Sequence, residues 1–191
     1  MQKFLAALAL AIMAATGVAH AEAAAYAIDP AHTFATFEIV HMGISTIRGR
    51  FDKKEGSLTM DRAARSGKVE LTIDVTSIST GVESFNKHLQ GKDFFNAAEF
   101  PTARFVGDKF VFDGDKVTEV SGSLTLLGKT NPFTLKADRF NCYVSPILKR
   151  EVCGGDFQGS LERSQYGMDY LIQRGVPDTV TLMVQVEAIK Q

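Results

Sequence analysis

The sequence predicts an all-β domain, rolled into a closed barrel or folded into a sandwich, with one short helix let into it. Three features carry that prediction: short runs in which apolar and polar residues alternate, turn signals between the runs, and one segment with helical spacing. Hydrophobic residues make up 45% of the 191 and charged residues 23%, ordinary values for a chain with a real core. The formal net charge is -1, so no general attraction to nucleic acid or to anionic surfaces is expected.

The first element is not part of the fold. Lys3 gives a positive start, Phe4 to Ala15 an apolar run, and Ala19 and Ala21 the small residues that a signal peptidase reads. Residues 1–21 are therefore expected to be a cleavable export signal. A second small-residue site ends at Ala25, just before Tyr26. The apolar run falls short of the roughly 20 residues of a spanning helix, so no stable membrane insertion is expected. Residues 22–191, about 170 in number, then form a single domain in an oxidising compartment.

Strand signals follow in order. Thr33 to His41 sets Ala35, Phe37, Ile39 and His41 on one face and Thr36 and Glu38 on the other. Weaker runs lie at Ile47 to Phe51 and Gly56 to Met60. Val69, Leu71, Ile73 and Val75 alternate most cleanly, against Glu70, Thr72, Asp74 and Thr76. Val82 to Gln90 changes period: Phe85, His88 and Leu89 are helically spaced, Glu83 stands four before Lys87, Thr80 is a candidate cap and Gly91 a stop. Phe94, Phe95 and Phe100 then crowd one turn or loop that ends at Pro101, a residue that cannot continue a helix.

Alternation resumes at Ala103 to Val106, Lys109 to Phe112, Val120 to Leu126, Phe133 to Ala137, Phe157 to Leu161 and Val180 to Ala188. Turns are expected at Asp113-Gly114, over Gly128 to Pro132, and over Arg174 to Asp178. Cys142 and Cys153 are the only cysteines, and an even pair in an exported chain reads as a disulfide closing a hairpin over Ser145-Pro146. Such a bridge stabilises by roughly 3 kcal/mol in the chain-entropy model.

Reactive patterns are lacking. There is no Gly-x-Ser-x-Gly elbow, no phosphate-binding or dinucleotide glycine loop, and no Cys-x-x-Cys or His-x-x-x-His spacing. His32 and His41 are nine apart, on opposite faces of a continuous strand, so neither metal nor cofactor is expected. The inventory favours a binding surface.

Several passages, in order, resemble the YceI family of exported, lipocalin-like isoprenoid-binding proteins: His32 to Gly43, Ile47 to Phe51, Lys87-His88-Leu89, Gly91 to Phe95, Phe100 to Ala103, Ser121 to Thr130 and Arg163 to Met168. Phe100 stands where the family commonly has tyrosine and Tyr166 where it commonly has phenylalanine, exchanges that keep bulk. The two-cysteine hairpin is similar to one branch only.

The resemblance implies an eight-stranded antiparallel lipocalin-like barrel in the periplasm, with a short helical insertion, holding a polyisoprenoid such as a prenyl quinone (ubiquinone, for example) or a prenyl phosphate. Phe37, Ile39, Phe51, Leu71, Ile73, Val75, Leu124 and Leu126 are the expected inward set, with Phe94, Phe95 and Phe100 as wall or lid. His41, Arg48 and Arg163 are the head-group candidates, each also readable as a solvated or barrel-end charge. Two other readings stay open, an enzyme acting on an isoprenoid or quinone with His41 or His88 as base, and a ligand-free structural or stress-response protein. A homodimer is left open as well. Burying one five-carbon unit gives roughly 3 to 4 kcal/mol gross, so five or six units reach the practical affinity ceiling. Cavity length, not affinity, must set tail length.

Overall fold

A computed structural model describes residues 23–191. The expected export signal lies outside them. Eleven strands and one helix follow: β1 (Ala24–Ile28), β2 (Phe34–His41), β3 (Ser45–Phe51), β4 (Lys54–Asp61), β5 (Ser66–Asp74), β6 (Ile78–Ser79), α1 (Glu83–Gln90), β7 (Thr102–Asp113), β8 (Lys116–Leu126), β9 (Lys129–Val144), β10 (Glu151–Glu162) and β11 (Thr179–Lys190). All pairings are antiparallel, and the sheet closes because β1 bonds both β4 and β11.

The eleven strands make eight staves. β1 and β2 lie end to end along one edge of β11, at Ala188 to Lys190 and at Thr181 to Gln185. β3 and β4 form the next long stave, and β5 with β6 the one after, paired at Lys54↔Ile73 and Phe51↔Ile78. Each of these three staves is broken at one level. Thr33, fully buried, bridges the first break by donating from Oγ1 to Glu187 O and accepting from Glu187 N. At the second, Asp52 N and Lys53 N donate to Ser77 O and Oγ. Backbone groups that lose ladder partners at a kink are thus satisfied locally.

The third break corrects an expected facing. A turn of 3-10 helix at Val75–Ser77, capped by the Asp74 carboxylate accepting from Thr76 N, takes Val75 out of the alternation of Leu71 and Ile73. Val75 packs instead under α1, with Phe51, Ile78, Leu89 and Ala97. Two other local expectations shift. The residue preceding α1 is Val82, and Thr80 does not cap it; its N and Oγ1 donate to Asn86 Oδ1 at 2.8 and 2.7 Å. The turn foreseen over Gly128 to Pro132 contracts to Leu127 and Gly128, both at positive φ, and β9 starts at Lys129. Ala103 to Val106 and Lys109 to Phe112 fuse into β7 across a bulge after Gly107.

Antiparallel wiring sorts the connections into two ends. The β2–β3 hairpin, the stretch through α1 to β7, the β8–β9 turn and the loop from Arg163 to Asp178 lie at one end, called here the helix end. The β4–β5, β7–β8 and β9–β10 turns lie at the other with both ends of the described chain.

A two-chambered apolar interior

Inward side chains leave two cavities stacked along the barrel axis. The upper one, toward the helix end, has a volume of about 140 Å³, and the lower one about 60 Å³. Leu71, Phe105, Leu135 and Val184 wall both and so form a waist between them. Phe105 is held there edge-to-face on Phe133, centroids 6.0 Å apart. An engineered cavity of about 150 Å³ lined by Leu, Ile and Phe stays dry and takes benzene. The upper chamber is of that size and character.

Strand alternation supplies the upper wall: Ala35, Phe37 and Ile39 from β2, Leu71 and Ile73 from β5, Leu124 and Leu126 from β8. The roof comes from the helix end, where Leu89 of α1 and Phe94 and Phe95 of the following loop reach inward. Phe95 meets Phe51 edge-on at 5.6 Å, and Phe51 meets Phe37 at 6.0 Å. Phe94 also faces outward, against His88 at 5.1 Å and the half-exposed Tyr170 at 5.4 Å. These three rings make an aromatic plug at the surface.

Nine of the eleven expected inward and lid residues line the upper chamber, and two do not: Val75 lies under α1, as above, and Phe100 stays outside the lining. A Cβ on Gly128 would stand 2.9 Å from the Phe100 ring, so Phe100 rests on the β8–β9 turn rather than over the chamber. The expected set thus contributes nine wall or roof residues. Sequence reading missed Met168, in an irregular loop without a period, and did not single out Phe133, Leu135, Val180, Leu182 and Val184, although alternation continues through them.

The three head-group candidates are not brought together. His41 is exposed, past the barrel wall on the β2–β3 hairpin. Arg48 is exposed and paired with Glu38. Arg163 is only 2% exposed, and its guanidinium donates to three backbone carbonyls, Pro177 O at 3.0 Å, Met168 O at 2.9 Å and Val176 O at 3.1 Å. Burial lowers its pKa from the usual guanidinium value, while Asp178 and Asp169 oppose that shift. Its stem lines the chamber; its charge clamps the loop. The other charged residue of the lining, Arg104, points its guanidinium out to Glu70.

The lower end is tied differently. Cys142 and Cys153 stand directly opposite on β9 and β10 and form the expected disulfide, with Cys153 in the lower wall. Tyr26 donates from Oη to Glu151 Oε1 at 2.7 Å, and Arg62 Nη2 donates to Glu151 Oε2 at 2.6 Å. Burial first, then the Glu151 carboxylate, push the Tyr26 pKa up to about 12. Among the described residues no three His, Cys, Asp or Glu side chains gather as metal ligands, and no helix is long and apolar enough to cross a membrane.

Comparison with known proteins agrees with this architecture. The YceI-like domain model matches residues 26–188. Protein YceI of Escherichia coli O157:H7 is 39% identical over 174 residues, covering 90% of each chain, and a UPF0312 protein of Pseudomonas aeruginosa is 41% identical over 140, covering 72% of each. Two solved structures share the fold: BcnA of Burkholderia cenocepacia (TM-score 0.68, 23% identity, 84% of this chain and 98% of that one) and a polyisoprenoid binding domain of Saccharophagus degradans (TM-score 0.63, 17% identity, 88% and 99%). With the eight-stave barrel, its one helix and a domain match spanning nearly every described residue, the chain belongs to the YceI-like family.

Proposed function

We propose that the protein is a non-catalytic carrier or reservoir for a polyisoprenoid lipid, working in the periplasm after residues 1–21 are removed. The observation that carries this reading is the pair of in-line chambers whose exposed lining is almost all carbon. A chain of five-carbon units fits such a channel: each unit removed from water contributes roughly 3 to 4 kcal/mol gross, reduced by the cost of ordering the tail. The upper chamber alone has room for about a ring-sized group. A longer tail therefore threads the waist by turning Phe105 and Leu71 aside. The Saccharophagus degradans domain of the same fold, a polyisoprenoid binding domain, supports the ligand class.

Neither arginine of the lining offers a free cation to the interior, because Arg104 faces Glu70 and Arg163 faces three carbonyls. A buried phosphate would thus lose its hydration without a charged partner. This favours a neutral head, as in a prenyl quinone, over a prenyl phosphate wherever the head is drawn into the chamber beneath the His88, Phe94 and Tyr170 rings.

Native mass spectrometry on protein from its own host, with extraction of the lipid, tests the proposal. A retained ligand of prenyl-quinone mass is expected. Ile73→Glu, which puts a charge into the upper wall, should strip the ligand, whereas Thr72→Glu, on the opposite strand face, should keep it. Folded protein that carries no lipid and takes up no prenyl quinone would overturn it.

A further inference from the structure

The tip of the β9–β10 hairpin carries a feature that the chambers do not explain. β9 leaves β8 after the pair Glu119↔Lys136, and beyond it bonds to β10 alone. The hairpin runs on to a turn in which Val144 is 69% exposed and Ile147 87%, with Tyr143 and Leu148 half exposed beside them. This tip is ordered. Ser145 N donates to Arg150 O and Lys149 N to Ser145 O, each at 2.9 Å, and the Cys142–Cys153 disulfide sits just behind. A fixed turn that holds four apolar side chains in water is a contact surface waiting for a cover.

Charge indicates which cover. Lys149 and Arg150 lie in the same turn, and Arg62 and Arg65 in the β4–β5 turn at the same end. Among the described residues Lys149, Arg150 and Arg65 form no ion pair. The acidic groups at that end are Asp61, whose carboxylate accepts from Ala64 N, Glu151, neutralised by Arg62 and Lys190, and Asp113 and Asp115 of the β7–β8 turn. The opposite hairpin is a natural control, because Ile44 is 86% exposed there but the turn Met42-Gly43-Ile44 carries no charge.

We propose that the β9–β10 tip is a peripheral docking site for an anionic phospholipid surface, with Val144, Ile147 and Leu148 entering the interface, Tyr143 at headgroup level, and Lys149 and Arg150 against the phosphates. Apolar side chains set among cations, with an aromatic between them, suit that boundary. Each basic side chain near an anionic bilayer strengthens binding about fivefold. A second copy fits less well, since a two-fold contact would press Lys149 and Arg150 against their own equivalents. The proposal is independent of what the chambers hold. It also brings the parted edge of β9, with Phe140 and Cys153 of the lower wall, toward the lipid.

Sedimentation of the mature chain with vesicles of phosphatidylcholine alone, or mixed with phosphatidylglycerol, reads it directly. Binding is expected only to the mixed vesicles, and it should weaken with salt. Ile147→Asp should lower it about tenfold or more, Lys149→Gln with Arg150→Gln about twenty-fivefold, and Ile44→Asp not at all. All these sites are exposed, and circular dichroism of each variant should match the parent. Equal binding to both vesicle types would overturn the proposal, as would equal losses from Ile44→Asp and Ile147→Asp. So would sedimentation velocity showing a dimer that Ile147→Asp dissociates while vesicles bind nothing.

Discussion

The two ends of this barrel are closed by different means, and the free volume follows the difference. At the helix end, side chains from an eight-residue helix and two long connections lean over the opening, and the larger chamber lies beneath them. At the other end a disulfide staples the β9–β10 hairpin, the Tyr26, Glu151 and Arg62 network ties β1 and the β4–β5 turn to β10, and the chamber there is less than half the size. Rings such as Phe94 and Phe95 can turn aside without breaking a backbone ladder, whereas the lower end is held by the disulfide and the Glu151 contacts, beside a β9 edge parted from β8. Closure over the upper chamber thus rests on movable side chains.

The sharpest way to break this contrast is Arg163→Met. It keeps the stem in the chamber wall but leaves Pro177 O, Met168 O and Val176 O without their donors. Chemical denaturation should show a loss of about 3–5 kcal/mol, and hydrogen exchange should rise first between residues 163 and 178. A loss spread evenly over the barrel would mean that the helix end is not separately held. Next in size, replacing Cys142 and Cys153 together by Ser should cost about 3 kcal/mol and enhance exchange in the β9–β10 hairpin, leaving the roof of the upper chamber unchanged.

The smallest effect sharpens the comparison by pH. Tyr26 titrates near 10.0 when unfolded and at about 12 in the fold, so the folded state favours the neutral phenol. Its contribution is complete below pH 10.0 and is lost as the pH climbs toward 12, because the unfolded chain releases the proton first. Tyr26→Phe should cost about 1 kcal/mol at neutral pH and flatten this part of the alkaline decline in a denaturation series. An unchanged alkaline slope would remove the phenol from the account of the lower end.

Much of the barrel was legible along the chain, for reasons that particular residues make plain. Leu71 and Ile73 face inward because a strand turns alternate side chains to alternate faces, and apolar residues at every second position leave one face to bury. The disulfide was legible because two cysteines have only each other. Val75 was not, because the 3-10 turn that rotates it is held by partners elsewhere, including Val75 N donating to Pro101 O. Arg163 was read as a candidate for a ligand's head, yet it serves carbonyls five to fourteen residues away that no local pattern links to it. Phe94, Phe95 and Phe100 look alike in sequence, but only the first two reach the chamber; Phe100 is taken up by the glycine turn between β8 and β9.

By itself the sequence determined the class of the fold, the facing of most strands, the position of the helix and the cysteine pairing. Each of these is set by neighbours within a few residues or by scarcity of residue type. Tertiary structure alone decided that eleven strands make eight staves, that the hollow is divided at Phe105, and that Arg163 is a clamp. Closure, cavity shape and the partners of a buried charge depend on groups far apart in the chain. Their distances exist only once the sheet has curled on itself.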